Sequence, residues 1–155
     1  MPSSSDSPSA PGRAGAGAGP VLPVGLRASV RAVVTEADTA DAMGSGDVPV
    51  LATPRLLALA EAAAVAATAP QLARGLTTVG TSASLEHRLA SPPGEEIDVE
   101  AELTEVDGRR LVFSFIARVA DIDEDVVIGA GTVERVVLDR ARFLARTQKP
   151  AVDRG

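Results

Sequence analysis

The 155-residue chain contains no cysteine, no tryptophan, no tyrosine and a single histidine. Without thiols there is no disulfide framework, no thiolate nucleophile and no sulfur-ligated metal, and one imidazole removes most zinc sites. Dithiol redox chemistry and structural zinc are excluded, and no cofactor is expected. The aromatic residues are Phe113, Phe115 and Phe143 alone, too few to stack bases. The formal net charge of −6 is unevenly spread: residues 1–20 balance, residues 139–155 carry five basic and two acidic groups, and residues 21–138 are left at −9. A body that acidic does not neutralise phosphates, so no nucleic acid is expected as a partner. No apolar run approaches the roughly 20 residues that cross a bilayer, and the start lacks the basic end and apolar stretch of a signal peptide. The expectation is a soluble cytoplasmic protein with no membrane attachment.

What is present suffices for one globular domain, at 45% hydrophobic and 23% charged residues. Of the first 20 residues, 17 are Ser, Gly, Pro or Ala, which cannot bury enough apolar surface to offset the entropy of ordering. Residues 1–20 are therefore expected to be a disordered tail, 21–146 the domain, and 147–155 a second disordered tail.

Leu26 to Val34 alternates loosely and reads as a strand, and the polar Thr35–Asp47 stretch as a flexible loop or short lid helix. Gly44-Ser45-Gly46 in it lacks the lysine of a phosphate loop and reads as a hinge. Thr53 before Pro54 suits a helix start, with Thr53 as the cap. Residues 54–68 have only Arg55, Glu61 and Thr68 as polar side chains, and a helix apolar all round must be covered on most sides. Beyond Pro70 the period becomes 2: Val79, Thr81, Ala83, Leu85, His87 and Leu89 on one face, Ser82, Ser84, Glu86 and Arg88 on the other, with Gly80 on that second, polar face. Ile97, Val99, Ala101 and Leu103 repeat the pattern, as do Leu111, Phe113, Phe115 and Ala117.

Asp107-Gly108 joins these last two strands. A loop of those two residues would set Phe113 against Glu102 and mix the faces. A three-residue loop with a bulged Gly108 pairs Glu105 with Arg109, Leu103 with Leu111 and Ala101 with Phe113, and is the expected register. The acidic loop Asp121, Asp123, Glu124, Asp125 lacks the glycine turn and distal glutamate of a calcium site and reads as solvated. A strand from Val126 to Leu138 then precedes a short helix capped by Asp139 and anchored by Phe143 and Leu144. The order predicts an α+β fold, a curved antiparallel sheet wrapped around one long apolar helix. One helix leaves sheet edge uncovered, and a two-fold homodimer would cover it.

Three residues could carry chemistry. Glu61 is a lone carboxylate among alanines and leucines, where burial penalises its charge unless a donor pairs with it; its bland reading is a stripe reaching solvent or a dimer seam. Thr53 lies about 12 Å from Glu61 along the helix axis, too far for contact but close enough to flank a substrate. His87 lies on the apolar face of its strand, where an imidazole is more often a hydrogen-bonded core group than a catalyst. Gly80 permits a bulge or a close backbone approach.

Taken in order, Leu51-Ala52-Thr53, Glu61, Val79-Gly80-Thr81, Glu86-His87, Ser91-Pro92-Pro93-Gly94, Ala101-Glu102-Leu103, Gly108-Arg109-Arg110-Leu111, Gly131-Thr132 and Glu134-Arg135 resemble the hot-dog fold thioesterases, within them the fluoroacetyl-CoA thioesterase-like family. The resemblance spans about Val24 to Arg146. It implies a hot-dog fold and hydrolysis of a small acyl-CoA thioester in a cleft between the two subunits of a homodimer. It places the family's catalytic Thr, Glu and His on Thr53, Glu61 and His87 and its close-approach glycine on Gly80, with Arg135 as a further substrate-binding position. Glu61 would be general base or nucleophile, Thr53 and His87 would orient the group or polarise the carbonyl, and the Gly80 amide would serve the oxyanion. Residues 35–52 lack the phenylalanines of the fluoroacetyl enzyme's lid, and Val133 replaces the histidine of the family's Gly-Thr-His-Glu-Arg strand. A non-catalytic acyl-CoA or small-ligand binding module is the alternative, and a hydratase is disfavoured because no Asp accompanies His87 at the spacing such enzymes use.

Overall fold

A computed structural model describes residues 22–155; the tail expected over 1–20 lies outside the described residues. Five strands form one antiparallel sheet: β1 (Arg27–Val33), β2 (Leu76–His87), β3 (Glu96–Asp107), β4 (Arg110–Val119) and β5 (Val127–Asp139). Among the described residues three α-helices accompany them: a single turn α1 (Ala40–Met43), the long α2 (Thr53–Thr68) and α3 (Arg140–Thr147). A 3-10 turn, Ala151–Asp153, follows α3, with every residue from 140 onward exposed. Among the described residues no helix is long and apolar enough to cross a membrane.

The strand order is β1-β3-β4-β5-β2. Strands β3, β4 and β5 form a meander, while β2, next to β3 in sequence, crosses to the far edge and pairs with β5. Strand alternation specifies faces but not neighbours, so this crossover was not visible in the period-2 patterns. Leu56, Leu59, Ala60, Ala63, Ala64 and Ala67 of α2 are buried against Ile97, Val99, Leu103, Leu111, Phe113 and Val133 on the concave face of the sheet. Alanine on the helix side lets the backbone approach closely, and the bulky side chains come from the strands. Each face anticipated for β3 and β4 is observed: Ile97, Val99, Ala101, Leu103, Leu111, Phe113, Phe115 and Ala117 are all buried.

Three local expectations are corrected. The β3–β4 turn is a two-residue loop, Gly108-Arg109, closed by Asp107 opposite Arg110, with Gly108 at φ 58°, as a first central glycine of a type II′ turn requires. Apolar matching is restored further along, where the register shifts between Leu103 and Glu105, so that Leu103 faces Phe113 and Ala101 faces Phe115. The bulge sits at Thr104, inside the strand rather than in the turn. Asp139 caps α3 as expected, accepting from the Arg142 amide at 2.9 Å. Phe143 and Leu144, however, are 37% and 50% exposed and do not anchor it.

The third correction bears on the site. The β2–β5 register shifts between Gly80 and Ser82. Before the shift Thr78 and Gly80 lie opposite the buried Val137 and Arg135; after it Ala83, Leu85 and His87 lie opposite Val133, Gly131 and Gly129. The extra residue, Thr81, reverses the alternation. Gly80 therefore faces the helix and not the polar side.

Candidate active site

Thr53 is the first residue of α2, and the cap position belongs to Ala52. Instead of capping its own helix, the Thr53 hydroxyl turns to β2, where Oγ1 lies 2.9 Å from His87 Nδ1. The first turn of α2 is fixed without it, because the Arg55 and Leu56 amides donate to Ala52 O at 3.0 Å. The preceding lid segment is tied down as well. Asp38 accepts from the Thr35 amide at 2.8 Å and from Arg55 Nε at 2.9 Å, and the Ala52 amide donates to Asp38 O at 2.9 Å. The Thr35 amide, against the opposing effect of burial and with the Thr35 hydroxyl and Arg55 adding to it, holds the Asp38 carboxyl below its ordinary value.

His87 Nε2 is buried without a hydrogen-bond partner among the described residues. Desolvation is the main cause that lowers the His87 pKa below 6.5, with the Leu89 backbone working the other way. The ring is therefore neutral at pH 7, with Nδ1 engaged by the threonine and Nε2 buried and unpaired. Thr53 and His87 line a cavity of about 330 Å3 together with Ala40, Ser45, Val50 and Leu51 of the lid.

Glu61 lies two turns further along α2. Its Oε2 accepts from Arg135 NH1 at 2.6 Å, and its side chain keeps 38% exposure while that of Arg135 keeps 9%. Arg135 is held from behind: Nε donates to Thr78 Oγ1 at 2.9 Å and NH2 to Thr78 O at 2.8 Å. The donor that a carboxylate among alanines needs thus comes from β5, 74 residues away. A Cβ at Gly80 would collide with Glu61 Oε2 and stand 3.3 Å from Arg135 NH1, so glycine is what lets β2 pass over the ion pair. Glu61, Gly80, Thr81 and Ser82 border a second cavity of about 290 Å3.

The structure thus brings the five sequence-selected residues together as two groups. Thr53 with His87 is one, and Glu61 with Gly80 and Arg135 is the other. They stand seven residues apart on β2, Gly80 to His87, about 23 Å along the strand. Thr78 was not anticipated; its side chain reads as strand interior, and only the position of the Arg135 fork gives it a role.

An open sheet curled around one apolar helix, with a threonine–histidine pair and a helix carboxylate on its concave side, defines a thioesterase of the hot-dog fold. The chain belongs to the fluoroacetyl-CoA-specific thioesterase family, whose model matches residues 34–141. It is 40% identical over 100 residues to a fluoroacetyl-CoA thioesterase from Streptantibioticus cattleyicolor, covering 64% of this chain and 69% of the relative. A solved fluoroacetyl-CoA thioesterase structure superposes with a TM-score of 0.73 at 34% identity, covering 84% of this chain and 99% of the other. A thioesterase-superfamily member from Thermus thermophilus gives a TM-score of 0.74 at 27% identity, over 83% and 92% of the two chains.

Proposed function

We propose that the protein hydrolyses a small acyl-CoA thioester to free acid and coenzyme A, in composite sites formed across a homodimer. The observation that carries this reading is the separation of the two groups along β2. The midpoint between Gly80 and His87 falls between Ala83 and Ser84, on a strand that forms the edge of the sheet and is exposed from Gly80 to Ser84. A two-fold axis there, pairing β2 antiparallel with its copy, sets Gly80 of one subunit against His87 of the other. Glu61, Gly80 and Arg135 then face the partner's Thr53 and His87, and each dimer has two sites. The same pairing covers an apolar stripe of α2, Ala58, Ala62, Val65 and Ala66, which is exposed in the single chain, and closes an open strand edge.

Within such a site Glu61, held by Arg135, acts on water as general base or attacks the thioester carbon itself. The carbonyl C–S bond breaks and the coenzyme leaves as thiol. The Thr53–His87 pair orients the reacting group or polarises the carbonyl, and the bare backbone at Gly80 admits the oxyanion. Arg135, forked between Thr78 and Glu61, serves as a positioning residue for the carboxylate. The acyl pocket in this reading accepts a short chain without selecting fluorine, since residues 35–52 bring no phenylalanine to it.

Thiol release from short, branched and aryl acyl-CoAs tests the activity; saturable binding without release would favour the non-catalytic module. Glu61→Gln should lower turnover on the order of 10²-fold or more with the fold intact. Mixing tests the composite site. Chains carrying Glu61→Gln, mixed with chains carrying His87→Ala, assemble one intact site in each mixed dimer. Random mixing should restore about a quarter of wild-type turnover; no recovery in dimers shown to exchange would place all the residues of a site in one subunit.

A further inference from the structure

Away from both groups, one cavity differs in charge from the rest of this acidic molecule. It encloses about 420 Å3 between the start of β2, the end of β5, the β3–β4 turn and α3, and its walls include Leu76, Arg109, Val137, Arg142, Phe143 and Arg146. Elsewhere on the sheet the arginines are neutralised: Arg27 by Glu102, Arg31 by Asp121, Arg110 by Glu134 and Arg118 by Asp125. Arg109, Arg142 and Arg146 are exposed, and none meets a carboxylate side chain among the described residues. Arg146 reaches only the Arg154 and Gly155 backbone oxygens, at 3.4 and 3.5 Å. The one wall carboxylate, Asp139, has Oδ1 occupied by the Arg142 amide at 2.9 Å. Three guanidiniums on one cavity repel one another unless an anion sits among them. Phe143 adds a partly exposed ring to the same wall, which suits an aromatic base attached to that anion.

The cavity is also in line with the chemistry. Leu76 pairs with Asp139 and Gly80 with Arg135 on the same two strands. By alternation Leu76 shares the helix-facing side of Thr78 and Gly80. The cavity therefore begins about 13 Å from Gly80, on the same face of the sheet. We propose that it receives the phosphate-bearing adenosine end of the coenzyme thioester. The guanidiniums of Arg109, Arg142 and Arg146 hold the phosphates, and the pantetheine arm passes outside the buried Thr78–Arg135 fork, along the edge of β2, to Gly80 and Glu61. The inference rests on the acyl-CoA reading above.

The test compares wild type with an Arg109→Gln, Arg142→Gln, Arg146→Gln variant, whose changes are all on exposed positions and whose fold is checked by circular dichroism. With acetyl-CoA the variant should show a KM raised about tenfold or more and kcat within twofold. With acetyl-pantetheine, which lacks the phosphates, the two proteins should match. Adenosine 3′,5′-bisphosphate should compete with acetyl-CoA in the wild type and not in the variant, and inorganic phosphate should compete more weakly and again only in the wild type. An unchanged KM for acetyl-CoA in folded variant overturns the proposal and leaves the thioesterase reading standing. Absence of hydrolysis of any acyl-CoA by the wild type defeats that reading instead, and calorimetric binding of the bisphosphate to wild type and variant then still decides whether the cavity is an adenosine-phosphate site.

Discussion

Replacing Gly80 by alanine adds one methyl group at the point where β2 crosses the Glu61–Arg135 pair. The new Cβ would overlap Glu61 Oε2, with Glu61 Cδ at 3.4 Å and Arg135 NH1 at 3.3 Å. Arg135 is pinned by Thr78, so the part that yields is the carboxylate, the far end of a side chain with 38% exposure. It must withdraw roughly 1 Å to regain van der Waals separation. The loss in stability is small, because the ion pair is partly solvated and alanine restricts the unfolded chain more than glycine does; the two effects leave a net change of about 1 kcal/mol or less. The loss in catalysis is large, since a misplacement of about 1 Å in a reacting group costs on the order of 10²-fold. Acetyl-CoA hydrolysis followed by thiol release, with a melting curve on the same sample, should therefore show a near-normal Tm and a kcat/KM reduced about 100-fold. The double variant Gly80→Ala, Glu61→Gln should lose little beyond Glu61→Gln alone, because both remove the same carboxylate from the same place. Hydrolysis within threefold of wild type in folded Gly80→Ala would refute the reasoning, since the carboxylate would then not be needed where this structure holds it.

Thr53 makes no cap, so Thr53→Ala should leave Tm nearly unchanged while turnover falls about tenfold or more, and Thr53→Ser should recover most of the rate by restoring the hydroxyl to His87 Nδ1. The His87 pKa lies below its ordinary 6.5 through burial; the unfolded chain binds the proton first, so this residue's contribution to stability is complete above about pH 6.5 and is lost as pH falls through the folded value. His87→Gln should accordingly flatten the change in Tm between pH 7.5 and pH 5.5. Arg135→Lys cannot reach Thr78 Oγ1, Thr78 O and Glu61 with one ammonium and should cost about 2 kcal/mol, read by urea denaturation, together with a fall in kcat. Gly131→Ala would drive a Cβ into the Ser84 backbone of the neighbouring strand; backbone cannot step aside as a carboxylate can, and a loss above about 2 kcal/mol is expected by the same measurement.

Much of this protein follows from local pattern. The apolar run after Thr53 can only be a covered helix, and the alternations around Ile97–Leu103 and Leu111–Ala117 assign each side chain to its face, because period 2 and period 3.6 are properties of the chain itself. Glu61 stood out for the same reason, as the single carboxylate in an apolar segment. Bulges, by contrast, arise between strands. Thr81 and Thr104 carry no mark of theirs, and each is set by the register of a neighbour; the first turns Gly80 from the polar side to the helix side. Ion-pair partners are decided in the same way. That Arg135 pairs with Glu61 while Arg109, Arg142 and Arg146 pair with no carboxylate side chain among the described residues depends on which strands lie side by side, and on a hairpin turn meeting a helix more than thirty residues further on. Composition counts those charges, but only tertiary structure determines which are cancelled by proximity and which are left for a ligand, because the Coulomb energy depends on distance in space and not on position along the chain.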